Sequence, residues 1–122
     1  MNEETILYLL RRWTPLAVEI PATIPGRSAW IGVYPLDPSR PDTRHFLNRR
    51  DILSTTQEPI YRVRKFELDR ALIDADAHVC ETDLSDKQDA IVIGDDDLRL
   101  KLAEYGLCLD QLLQHFKTDY PL

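Results

Sequence analysis

Glycine is scarce in this chain, with four residues in 122, at positions 26, 32, 94 and 106. None of them clusters into a loop whose backbone amides could cradle a phosphate, so nucleotide-binding signatures are absent. Cysteine is scarcer still, and Cys80 and Cys108 lack the paired spacing of a zinc site or a redox motif. The amino terminus, Met-Asn-Glu-Glu, carries acid where an export signal carries base, so the two lone cysteines read as reduced thiols and imply a cytoplasmic protein. No apolar run approaches the roughly 20 residues of a membrane span, so no membrane contact is expected. Basic charge is also short: 15 Lys and Arg stand against 21 Asp and Glu, a net charge of −6, which argues against a nucleic-acid partner.

What is present is an uneven distribution of acid. Residues 1 to 70 hold 11 basic and 9 acidic side chains (net +2), whereas residues 71 to 122 hold 4 and 12 (net −8). A localised negative field speeds association with a basic partner, so the expected ligand is a protein with a positive surface. The competing explanation is that this acid only solubilises the fold. Hydrophobic residues at 43% and charged residues at 30% are ordinary globular usage, and 122 residues suffice for one core, so a single domain over 1–122 is expected without disulfide or metal staples.

Asn2 is placed to cap a helix over about Glu3 to Trp13, with Ile6, Leu9, Leu10 and Trp13 on one apolar stripe and Pro15 ending it. Six prolines between Pro15 and Pro41 break the next region into extended pieces. Ala17 to Ile20 and Ser28 to Tyr34 read as strands joined around Pro25-Gly26, and Pro35 to Asp42 as a loop. Residues 43 to 58 suit a short helix or a loose connection. From Pro59 onward Tyr61, Val63, Lys65 and Glu67 alternate with Ile60, Arg62, Arg64, Phe66 and Leu68, a strand with two mixed faces. Asp74 to Thr82 reads as a further strand, although Leu68, Ala71, Leu72 and Ala75 also have helical spacing. Ala90 to Ile93 is a short buried strand, followed by a helix over Asp97 to Tyr105 that Gly106 ends. A last helix is expected from Asp110, with Leu109, Leu112, Leu113 and Phe116 as its stripe. The class is α+β: a mostly antiparallel sheet with an N-terminal helix and two C-terminal helices.

The chemistry-bearing groups are few. Asp95, Asp96 and Asp97 suit the positive end of a helix and lack the further ligands of a cation loop. Asp74, Asp76 and His78 would share a strand face, the one arrangement that could serve a small enzyme or ligand-binding domain. His45 and His115 have no partner at ligand spacing. Arg49-Arg50 and Arg62-Arg64-Lys65, with Tyr61 and Phe66 interleaved, form a basic patch expected to pair with the acidic half. No catalytic residue, metal or cofactor is therefore expected, and the partner-binding candidates are Glu81, Asp83, Asp86, Asp95, Asp96 and Asp97.

The terminal block, from Asp89-Ala-Ile-Val-Ile-Gly-Asp-Asp-Asp-Leu through Glu104-Tyr-Gly-Leu to Lys117-Thr-Asp-Tyr-Pro, resembles the small acidic immunity proteins encoded beside bacterial polymorphic toxins, including those of contact-dependent growth inhibition systems. The resemblance covers about the last third of the chain and rests on architecture and charge. It implies a cytosolic protein that binds one toxin domain, often a nuclease, and blocks it stoichiometrically without chemistry of its own.

Overall fold

Asn2 acts as the cap its position predicts. Its side-chain oxygen accepts the Thr5 N–H at 2.8 Å and starts helix α1, Glu3–Arg11, with Glu3 and Glu4 in the first turn. The computed structural model describes residues 2–50, 58–75 and 80–114. After α1 come strands β1, Leu16–Ile20, and β2, Arg27–Leu36; helix α2, Pro41–Asn48; strand β3, Ile60–Asp69; and the short helix α3, Arg70–Asp74. A 3-10 turn at Glu81–Asp83 leads into β4, Ser85–Ile93, then helix α4, Asp95–Ala103, a second 3-10 turn at Leu109–Gln111, and β5, Leu113–Gln114. The strands form one sheet in the order β4-β3-β2-β1-β5, with every pairing antiparallel. The fold is α+β.

One face of the sheet is covered by α1, α4 and the second 3-10 turn. Ile6 and Leu10 of α1, Leu98 and Leu102 of α4, and Leu109 and Leu112 close over Leu16, Ile31, Val33, Tyr61 and Val63. The opposite face carries a smaller cluster of Ala17, Trp30, Phe66, Leu68 and Leu84, against which Leu72 and Ile73 of α3 pack. Trp30 and Phe66 are register partners, and their rings stack with centroids 5.9 Å apart.

Four expectations change. Trp13 does not continue the α1 stripe: it adopts a left-handed backbone with φ 64° and is 54% exposed. It occupies the helix-terminating position usually given to glycine, where the Trp13 and Thr14 N–H groups bond back to the carbonyls of Leu10 and Leu9. The strand expected over Asp74 to Thr82 is absent where it is described, because Asp69 caps α3 by accepting the Ala71 N–H at 3.0 Å and Glu81–Asp83 is a 3-10 turn. The Ala90 to Ile93 strand is longer than its apolar run and lies at the sheet edge, half-buried, since β4 begins at Ser85. The closing helix is a single 3-10 turn followed by β5 pairing with Leu16 and Ala17, and Phe116 lies outside the described residues.

Gly106, at φ 74°, ends α4 as expected, with the Leu107 N–H reaching back to the Leu102 carbonyl at 3.0 Å. Leu112 is fully buried. Leu112→Ala is expected to lower unfolding free energy by about 2–5 kcal/mol, and denaturant melts check it. Trp13→Gly is expected to leave stability unchanged or raise it by up to about 1 kcal/mol, because glycine adopts the left-handed region without strain; a clear loss in the same melts would contradict that account of the turn.

Candidate functional site

β3 sets the electrostatics of the whole surface. Its neighbours β2 and β4 pair along both sides, so Lys65 is 7% exposed and Glu67 fully buried. Buried charge must be compensated, and the acidic half supplies the compensation. Lys65 donates to Glu67 at 3.4 Å and to Asp86 at 2.6 Å, while Glu67 also accepts the Thr23 hydroxyl at 2.8 Å. Asp86 sits where the β3–β4 register shifts between Lys65 and Glu67, and its left-handed backbone (φ 51°) belongs to that irregularity. Burial disfavours the Lys65 ammonium, but the hydrogen bonds to Asp86 and Glu67 outweigh it and hold its pKa above the ordinary value. The same bond from Lys65 holds the Asp86 carboxyl below the ordinary value.

Arg62 is treated likewise: its guanidinium donates to both oxygens of Asp89, at 3.0 and 2.5 Å, and lies 5.3 Å from the centre of the Phe46 ring. Arg50 stacks on that ring at 4.3 Å. The basic patch read from sequence therefore exists in part. The pleat divides it, with Arg62, Arg64 and Phe66 on one face and Tyr61 and Lys65 on the other, and the aromatic that Arg62 meets is Phe46.

The six acidic candidates separate into two groups. Glu81 and Asp83 belong to the 3-10 turn before β4 and Asp86 lies at the start of the strand; Asp83 accepts the Cys80 N–H at 2.8 Å. Asp95, Asp96 and Asp97 begin α4 at the other end of β4, roughly 25 Å away by strand rise. Asp95 is turned inward. It accepts the Tyr61 hydroxyl at 2.7 Å and Arg11 at 2.8 Å, joining α1, β3 and α4. Burial and the bond to Asp95 push the Tyr61 hydroxyl well above its usual pKa. Asp96 pairs with Arg99 at 2.7 Å but remains 94% exposed, and Arg99 also holds Glu3. Asp97 is exposed and makes no hydrogen bond or ion pair among the described residues.

Asp97 lies beside a groove of about 420 Å³ between the edge strand and α4, lined by Ala90, Ile91, Val92, Ile93, Leu100, Lys101 and Glu104. Leu100 is 68% exposed. This combination of an apolar floor and an acidic border could not be read from spacing alone, because β4 and α4 meet through the left-handed turn at Gly94. Asp74 ends α3 and pairs with Arg70 at 3.4 Å, while Asp76 and His78 lie outside the described residues. His45 is exposed on α2, and Cys80 and Cys108 are exposed free thiols rather than packed ones. Among the described residues no group of three His, Cys, Asp or Glu could hold a metal ion.

A second concavity, of about 610 Å³, opens on the other face of the sheet and is lined by Trp13, Tyr34, Pro35, Leu36, Asp37, Arg40, Asp42, Thr43, Arg62 and Arg64. Its residues come from three separate stretches of chain, around Trp13, over 34–43 and over 62–64, so no sequence motif announces it.

The folded Asp86 carboxyl titrates below its unfolded value, so its contribution to stability is complete above the ordinary carboxylate pKa of 3.8 and is lost as pH falls through the lower folded value. Asp86→Asn is therefore expected to flatten the acid limb of stability, read as the unfolding midpoint from about pH 6 to about pH 2.

No family model, no curated protein and no solved structure matches this chain.

Proposed function

We propose that this protein is a stoichiometric binding protein for a basic protein partner, engaged through the outer side of α4 and the neighbouring edge of β4. The observation that carries the reading is the groove at that edge: half-buried Ile91, Val92 and Ile93 with exposed Leu100, bordered by Asp97 and Glu104. An apolar centre that can be desolvated, set in a charged border, is the layout of a protein interface. Unlike Asp86, Asp89 and Asp95, Asp97 makes no hydrogen bond or ion pair among the described residues, so its field reaches solvent, while Glu104 pairs with Lys101 at 2.9 Å but keeps an exposed carboxylate.

The resemblance to immunity proteins makes a cognate toxin domain the class of partner. A nuclease domain is especially apt, because its phosphate-holding cations would meet Asp96, Asp97 and Glu104. On this reading the protein works in the cytoplasm, occludes its partner without catalysis, and binds no nucleic acid or membrane. No helix of the described residues is long and apolar enough to cross a membrane. Of the original six candidates, Asp96 and Asp97 belong to this surface. Asp95 positions α4, and Asp83 and Asp86 lie at the far end of β4.

The test is association kinetics with the product of the adjacent gene. Reversal of Asp97 and Glu104 to Lys is expected to slow association by about tenfold at low ionic strength and to flatten its salt dependence, with dissociation changed much less. An unchanged rate constant and salt slope would remove the acidic border from the interface.

A further inference from the structure

The cleft on the opposite face carries a separate inference. Trp13 occupies a backbone position that glycine would adopt without strain, and it leaves a large aromatic surface 54% exposed. Neither feature serves packing. The indole instead forms one wall of the 610 Å³ cleft, which also includes Tyr34. Arg62 is held in place by Asp89 and by the Phe46 ring, so part of the cationic wall is preorganised. Arg40 is exposed and joined to Asp42 only by a contact of 3.7 Å, which leaves its guanidinium able to turn toward a ligand. Asp37 is fixed by the Ser39 hydroxyl and N–H at 2.7 and 3.0 Å, which shapes the loop carrying Arg40.

We propose that this cleft binds a free nucleotide, an aromatic base bearing a phosphate. The base would stack against Trp13, the phosphate would meet Arg40 and Arg64, and Asp42 and Thr43 would accept or donate at polar edges of the base or sugar. Each group in the ligand answers a group in the wall. A bare phosphate would leave the indole unmatched, and an uncharged ring would leave the exposed guanidinium of Arg40 unmatched. The site lies on the sheet face away from α4, so it stands or falls independently of the partner surface.

Fluorescence and calorimetric titrations of the full chain test it. Trp30 is buried, so a change in exposed-indole emission reports on Trp13. AMP is expected to bind saturably, with adenosine and inorganic phosphate each weaker by about tenfold or more. Calorimetry is expected to show AMP binding weakened about tenfold or more in Trp13→Gly and in Arg40→Ala, while the melts of both variants stay close to wild type. Absence of saturable AMP binding, or unchanged affinity in Trp13→Gly, would overturn the proposal. A ten-residue oligoadenylate binding far more tightly than AMP would also overturn it, in favour of a single-stranded polymer.

Discussion

The structure depends on compensating the charges of β3. This strand has neighbours along both edges and packed side chains on both faces, yet it carries Arg62, Arg64, Lys65 and Glu67. Leaving the buried Lys65 or Glu67 uncompensated would cost on the order of several kcal/mol, and the half-buried arginines less. Their partners come largely from β4, which supplies Asp86 to Lys65 and Asp89 to Arg62. Removing one partner is more harmful than the pair is beneficial, since the remaining charge keeps its burial and loses its compensation.

This requirement changes the meaning of the acidic second half. The −8 of residues 71 to 122 looks like a uniform field when counted along the chain. In the fold, Asp86 and Asp89 are matched by cations of β3, and Asp95 is tied to Tyr61 and Arg11. Among the described residues, the acid beside the apolar groove faces solvent: Asp97 without a partner, and Glu104 paired only along the helix surface with Lys101. The division between acid that holds the sheet together and acid that faces outward is the basis of the functional reading, with Asp97 and Glu104 on the outward side.

Local signals made much of the fold legible. The Asn2 cap, the β1–β2 hairpin around Pro25-Gly26, the alternation of β3, and Gly106 at the end of α4 each rest on a few neighbouring residues. The misses were long-range or steric. Ser85 to Asp89 is polar throughout and lies outside the apolar run that signals the Ala90–Ile93 strand; it is a strand because an edge strand need not bury its side chains and β3 offers it a ladder. Leu109 and Leu112 lie in the core as their stripe implies, but Leu113 and Gln114 pair with β1 where the stripe predicts a helix to continue. Trp13 fell on the helical stripe by spacing, yet the turn required before Pro15 took it into left-handed space and onto the other face of the sheet. The cleft it lines was invisible in sequence for the same reason: Trp13, Tyr34, Arg40 and Arg64 meet only once the sheet has formed.

The most direct test of the division of acid compares denaturant stability in two double variants at matched low ionic strength. Asp86→Asn with Asp89→Asn removes partners of β3, whereas Asp97→Asn with Glu104→Gln removes outward charge and one surface ion pair, that of Glu104 with Lys101. The account predicts a clear fall in unfolding midpoint for the first variant and less than half that fall for the second. Equal losses, or the larger loss in the second, would contradict it.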